Sequence, residues 1–190
     1  MKLTVLALQG AFREHAEAFA ALGADVTLCR RPEHLAGADA VVLPGGESTT
    51  IDKLLDTSGL REPLVAALRD GMPALATCAG LIVCARTVRD GRPDQRPLGV
   101  LDVEVRRNGY GRQRDSFEAP LAVTGLTGGA FPGVFIRAPK IVRAGTAVEV
   151  LATHEGVPVL GRQGAVWFAS FHPELSGDLR LHRQFVTEVG

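Results

Sequence analysis

Residues 73–85 read PALATCAGLIVCA, an uncharged run that holds two of the chain's three cysteines. Its first half, Pro73 to Cys78, is short and apolar and ends where small residues begin, as in a strand buried on both faces. Its second half, with the residue that follows, AGLIVCAR, reads as a helix that starts directly after the strand. A strand that feeds a helix through so tight a turn is a unit of an α/β fold. The flanking sequence repeats the theme. Upstream, KLTVLAL (Lys2 to Leu8) is a strand, FREHAEAFAAL is a helix up to Gly23, ADVTLC is a second strand and ADAVVLPGG a third, stopped by Pro44-Gly45-Gly46. Ser58 is placed to cap a helix over about 59–69, with Gly71 just past its end. Strands that alternate with helices imply right-handed crossovers and a mostly parallel sheet covered on both faces.

Downstream of Leu98 the rhythm changes. The segments LGVLDVEVRR, FEAPLAV, FIRAP, AVEVLATHEG, VPVLGRQG and AVWFASF are short and strand-like, separated by Gly, Pro and charged turns, so the second half reads as a mixed or antiparallel extension. An amphipathic helix over about 178–189 closes the chain. The polar, proline-rich RDGRPDQRP (Arg89 to Pro97) reads as a surface loop rather than a linker. A length of 190 residues fits one domain spanning 1–190.

Composition excludes some function classes. Lys and Arg number 21 against 21 Asp and Glu, which leaves no charge excess to attract nucleic acid or an anionic membrane. No apolar stretch reaches the roughly 20 residues of a membrane helix. The N-terminal MKLTVLALQGAF, interrupted by Gln9, lacks a secretory cleavage pattern. An odd cysteine count in a chain able to build its own core points to a reducing compartment, with the cytoplasm as the expected location.

Chemistry concentrates where loops follow strands, because ligands of open α/β sheets collect at the carboxyl ends of the strands. Cys78, between a buried strand and a helix N-terminus, has the surroundings that favour a thiolate. Ala76, Ala79 and Gly80 leave room for an elbow that presents the sulfur. The plain alternative is a small buried hydrophobe, which is the reading for Cys29 and Cys84. A nucleophilic cysteine needs a base and the base an orienting group. His172 ends the strongest late strand, and Pro173 keeps the chain extended, so His172 and Glu174 can face the same side. His15, His34, His154 and His182 lie among charged neighbours and read as solvated surface. In LPGGESTT the glycines let backbone N–H groups approach a ligand, as an oxyanion site requires; a helix cap or a phosphate loop are alternatives, but the spacing is not that of a Walker loop.

The Cys elbow, the upstream Gly-Gly loop and a late HPE, in this order, resemble the class I, triad-type glutamine amidotransferases. Within that group the chain is similar to the glutaminase subunits of pyridoxal 5'-phosphate synthase, through LALQGAFREH, LPGGESTTI, TCAGLI, RNGYGRQRDSFE, FIRAP and ASFHPE, which together cover nearly the whole length. The resemblance implies a three-layer, flavodoxin-like sandwich with a central mostly parallel sheet. It implies Cys78 as nucleophile, His172 as base and then acid, Glu174 as the orienting residue, and backbone groups of Gly46 and Ala79 as the oxyanion hole. L-Glutamine would be held by Gly46, Glu47, Ser48, Arg107, Ile136 and Arg137; a guanidinium suits an α-carboxylate. Gln9 would belong to the face that meets and activates with the barrel-shaped synthase subunit, to which ammonia is passed. No metal or organic cofactor is implied. One departure is Ala76, where the family generally has glycine; as a strand-closing residue it need not adopt a positive φ.

Three other functions stay open on the residues alone. A glutaminase of another pathway, such as histidine biosynthesis, would share the triad, although RNGYGRQRDSFE and GGESTTI argue against it. A cysteine hydrolase related by fold would not need the arginines. A non-catalytic α/β partner-binding domain would leave Cys78 silent.

Overall fold

The computed structural model describes residues 1–109 and 116–190. In chain order its elements are β1 (Lys2–Leu6), α1 (Phe12–Ala21), β2 (Asp25–Cys29), β3 (Ala40–Leu43), α2 (Ser48–Thr57), α3 (Arg61–Arg69), β4 (Ala74–Thr77), α4 (Ala79–Cys84), β5 (Ala85–Val88), β6 (Leu101–Arg106), β7 (Phe117–Leu121), β8 (Phe131–Phe135), β9 (Lys140–Ala144), β10 (Glu149–His154), β11 (Val157–Gln163), β12 (Val166–Ala169) and α5 (Arg180–Val189). Short 3-10 turns occupy Pro32–Leu35 and Pro173–Leu175.

The central sheet runs β10-β11-β12-β4-β3-β1-β2. Pairing is parallel from β2 through β12 and antiparallel for β12-β11-β10. Its five parallel strands, taken in chain order, stand 2-1-3-4-5, the flavodoxin-like arrangement. The remaining strands form a mixed sheet, β5-β6-β9, and an antiparallel pair, β7-β8. The expected α/β sandwich with a mixed extension is what the chain forms.

Strand alternation builds two cores, one on each face of the sheet. Val41 and Leu43 of β3 point to a cluster with Ile51, Leu55, Leu64, Leu68 and Ile82, so α2, α3 and α4 cover that face. Ala40 and Val42 point the other way, to Phe19, Trp167, Leu181 and Phe185, so α1 and α5 cover the second face. Each buried Leu or Phe contributes about 1.5–3 kcal/mol relative to exposure. Gly80 permits the closest of these approaches: a Cβ there would lie 2.0 Å from the carbonyl oxygen of Leu43.

Local assignments differ from expectation in several places. Ser58 does not cap α3; it ends α2, donating its N–H to the Leu54 carbonyl, and Leu60 precedes α3. The helix-cap alternative in LPGGESTT does form and opens α2, but the cap is a glutamate and not Ser or Thr: the Glu47 carboxylate accepts the N–H groups of Thr49 at 3.2 Å and Thr50 at 2.8 Å. The helix after Cys78 stops at Cys84, and Ala85 and Arg86 belong to β5. Strands β8 and β9 flank FIRAP, of which only Phe135 is in a strand. Tyr110 to Asp115, the middle of RNGYGRQRDSFE, lie outside the described residues.

Candidate active site

Cys78 is the single residue between β4 and α4, with φ 47° and ψ −102°. A positive φ is costly for a residue with a Cβ, on the order of 1–3 kcal/mol, and such strain gathers at functional sites. Burial on both sides enforces it: β4 is paired with β3 and β12, and the Cys78 N–H donates to the Ala169 carbonyl at 2.8 Å. Cys78 is 5% exposed, so the elbow lies recessed in a cleft rather than at the surface. Its sulfur lies 3.9 Å from the Ile136 carbonyl oxygen and against the His172 ring. Ala76, two residues earlier, is a fully buried β4 residue and takes no part in the turn. Cys29 and Cys84 are fully buried, and burial lifts their thiols to about 11 and about 12, as fits packing residues.

His172 follows β12, and although Pro173–Leu175 form a 3-10 turn and not the expected extended piece, its Nδ1 is 2.7 Å from Oε1 of Glu174, whose side chain has no exposure. Burial alone would lower the His172 pKa; hydrogen bonds to Cys78 and Glu174 outweigh it and lift the value to about 10. A protonated imidazole is therefore stabilised between a carboxylate and a sulfur, the setting for an ion pair with a thiolate. Burial opposes the Glu174 charge too, but His15 and His172 hold its carboxyl well below the usual range.

The glycine loop after β3 closes over this pair. A Cβ on Gly45 would lie 2.4 Å from Cε1 of His172 and 3.2 Å from Cβ of Cys78, so only glycine fits. The Gly45 N–H donates to Thr77 Oγ1 at 3.1 Å and its carbonyl accepts from Ala11 at 2.9 Å. The Gly46 N–H, on the opposite side of the same planar peptide, points away from α1. Ala79 opens α4, where helix geometry leaves the first N–H groups without an intrahelical acceptor.

A cavity of about 140 Å³ opens at the sulfur, lined by Gly46, Glu47, Ser48, Cys78, Ile82, Arg107, Asn108, Ile136, Arg137 and His172. All six residues expected to hold a substrate line it, with Ile82 and Asn108 as additions. Arg107 pairs with Glu47 at 2.8 Å. Burial raises the Glu47 pKa, but hydrogen bonds from Thr49 and Thr50 bring it down to about 2, so the pair is charged at neutral pH. Arg137 adopts φ 46°. The Gln9 side-chain oxygen accepts the Glu47 N–H at 2.6 Å and lies against Gly46, which ties the end of β1 to the loop. Among the described residues no group of three or more His, Cys, Asp or Glu side chains could hold a metal ion, and no helix is long and apolar enough to cross a membrane.

His15 and His182 correct the surface reading. Both are fully buried behind Glu174, with His15 Nε2 at 3.2 Å from Oε2 of Glu174. Helical spacing carried the signal: His15 shares a face with Ala18 and Phe19, and His182 with Phe185, all buried. Nearby charges obscured that period. His34 and His154 are half-buried.

Comparison with known proteins places this geometry in a family. A Salinispora arenicola (strain CNS-205) protein named "Pyridoxal 5'-phosphate synthase subunit PdxT" is 53% identical over 190 residues, 97% of this chain and 94% of that protein. One of the same name from Thermotoga neapolitana (strain ATCC 49049 / DSM 4359 / NBRC 107923 / NS-E) is 48% identical over the full length of both. A crystal structure described as a glutamine amidotransferase superposes with a TM-score of 0.93 at 49% identity, again over the whole of both chains. The sequence profile of the SNO glutamine amidotransferase family matches residues 5–190, and the chain belongs to that family.

Proposed function

We propose that the chain, as one domain spanning 1–190, hydrolyses L-glutamine to glutamate and ammonia and supplies the ammonia to a barrel-shaped synthase subunit that makes pyridoxal 5'-phosphate. The observation that carries the reading is the left-handed Cys78 facing His172, itself held by Glu174 at 2.7 Å, at the floor of a cavity lined by Arg107 and Arg137. His172 takes the Cys78 proton, and the thiolate attacks the glutamine carboxamide carbon. The Gly46 and Ala79 N–H groups stabilise the oxyanion of the tetrahedral intermediate. Collapse expels ammonia, which takes its proton from the His172 imidazolium, and leaves a γ-glutamyl thioester. Water, deprotonated by His172, then hydrolyses the thioester to glutamate. Glu174 keeps the imidazole aimed and stabilises its charge. Gly46, Glu47, Ser48, Ile136 and the two arginines hold the substrate, with a guanidinium on its α-carboxylate.

The synthase subunit acts, in this reading, on the face that carries Gln9. Reorienting the Gly45–Gly46 peptide meets little steric cost at glycine but breaks the Ala11 hydrogen bond, and Gln9 and Ala11 sit together before α1. A partner docked there has a direct hold on the oxyanion loop. Free thiols at Cys29, Cys78 and Cys84 support a reducing compartment, and the cytoplasm is the proposed location. Glutamate release measured with and without the synthase subunit tests the reading. Weak turnover alone and a rise mainly in kcat on adding the subunit are expected, with substitution of Gln9 blunting the rise. Equal rates with and without the subunit would remove the coupling, and absence of turnover in the complex would remove the glutaminase.

A further inference from the structure

Behind Glu174 lies a buried polar chain that the mechanism above leaves without a role. His15 on α1 sends Nε2 to within 3.0 Å of Thr77 Oγ1 and 3.2 Å of Glu174 Oε2, while its Nδ1 lies 3.2 Å from Nε2 of His182 on α5. Thr77 immediately precedes Cys78, and its Oγ1 also accepts the Gly45 N–H. Glu174 Oε2 receives no well-aligned hydrogen bond and His182 Nδ1 has no partner. His15 thus touches both halves of the site, the carboxylate behind the base and the glycine loop over the sulfur.

Electrostatics selects one proton arrangement. With a proton on Nδ1, His15 would turn the lone pair of Nε2 toward a buried carboxylate oxygen and leave His182 with an unpaired buried N–H. With the proton on Nε2, the N–H aligns on Thr77 and lies alongside Glu174, and His182 donates from its own Nε2. A buried neutral His182 fits this arrangement: burial is the main cause that brings its pKa down to about 3. A carboxylate without exposure that had only one donor would favour its protonated form, and a protonated Glu174 would no longer stabilise the His172 imidazolium.

We propose that His15 is a positioning residue: its Nε2–H, set by the hydrogen bond from His182, keeps Glu174 ionised and aimed at His172 and, through Thr77, braces the Gly45 peptide beside Cys78. The inference rests on the roles given above to Cys78, His172 and Glu174. The groups that face His15 are Glu174 with His172 beyond it, His182 with Asp178 acting on it, and Thr77; on α1 itself its neighbour is the stacked ring of Phe19.

The test combines nitrogen-15 NMR of histidine-labelled protein with glutamine kinetics in the presence of the synthase subunit. In the native chain both His15 and His182 are expected to carry the proton on Nε2. His15→Leu is expected to lower kcat by roughly tenfold to a hundredfold, the usual cost of losing an orienting partner, with KM within about twofold. It also moves the His172 titration to lower pH. His15→Gln, which keeps an N–H donor, recovers kcat to within about fivefold of native. A native His15 with its proton on Nδ1 overturns the proposal, as does a folded His15→Leu with native kcat and native His172 titration. If His15→Leu fails to fold, the native tautomer and the His15→Gln kinetics decide; a raised KM with unchanged kcat in that variant counts against it. Absence of glutamine turnover in the native complex would instead strike the glutaminase reading, and the tautomer measurement would still judge His15.

Discussion

Two buried polar clusters sit on the face-to-face halves of this fold, and they are built to opposite ends. In the first, Arg61 of α3 reaches Asp52 at 2.6 Å, Asp56 at 2.5 Å and the Arg96 carbonyl at 2.7 Å, so every guanidinium nitrogen is bonded. Arg96 returns its N–H to Asp52 and its side chain to Asp56, which fastens the 89–97 loop to α2 and α3. In the second, Cys78, His172, Glu174, His15 and His182 lie deeper than Asp56 and Arg96 of the first, yet two polar atoms lack an aligned partner and the nucleophile is held at a positive φ. Both clusters displace the pKa values of their members, so displacement alone does not mark chemistry. What separates them is the type of group. Guanidinium against carboxylate stays charged across the working range and fixes geometry, whereas an imidazole against a thiol can exchange a proton with it, and Cys78 and His172 open on a cavity that carries the expected substrate residues.

The contrast is broken most sharply at Cys78. Cys78→Ala is expected to lower glutamate formation by roughly four to six orders of magnitude, with the urea unfolding midpoint close to native, since only a sulfur is lost. Substantial turnover in this variant would reduce the second cluster to structure. Arg61→Ala is the converse: unfolding free energy should fall by about 3 kcal/mol, because the buried Asp52 carboxylate loses its cation, while kcat per folded molecule stays native. A drop in kcat without loss of stability would give the first cluster a part in the reaction.

Acid and alkali separate the clusters on a smaller scale. The unfolded chain's histidine takes up a proton near pH 6.5, but folded His182 only near pH 3, so the unfolded state binds more protons between those values and stability falls as pH falls through that window. The slope reaches about 1.4 kcal/mol per pH unit, the worth of one proton. Glu174, held low in the fold, adds to the fall below about pH 4.5, the ordinary value of its carboxyl. His172 acts in the other direction: its stabilisation is complete below pH 6.5 and is lost as pH climbs through about 10. Urea unfolding between pH 4 and 10 should therefore show a maximum near pH 6.5, on the scale of these histidine values. A flat profile between pH 4.5 and 6.5 would contradict a buried neutral His182. The smallest expected effect is at the rim of the cavity, where Arg107→Ala and Arg137→Ala should each raise KM for glutamine by about tenfold, the worth of a charge-assisted hydrogen bond, and leave alkylation of Cys78 by iodoacetamide unaltered. Unchanged KM in both would take the arginines out of the substrate site.

Local patterns determined much of this protein. Apolar runs bounded by glycine and proline fixed the central strands, the small residues around Cys78 announced the elbow, and His-Pro-Glu announced its partner, because each signal lies within a few residues and needs no distant contact. The helix α2 was legible only as the helix-cap alternative in LPGGESTT, because a glutamate, outside the usual capping set, holds its first N–H groups. Strand β5 was absorbed into the helix before it, since Ala85 and Arg86 suit either state. Only the tertiary structure could decide the second layer of the site. His15 and Glu174 are far apart in the chain, and their contact exists because α1 and α5 pack on the same face of the sheet, beside the segment that follows β12. Charge patterning along one helix cannot report which buried carboxylate a histidine will meet. That depends on which strands become neighbours, a choice made by the packing of two whole cores.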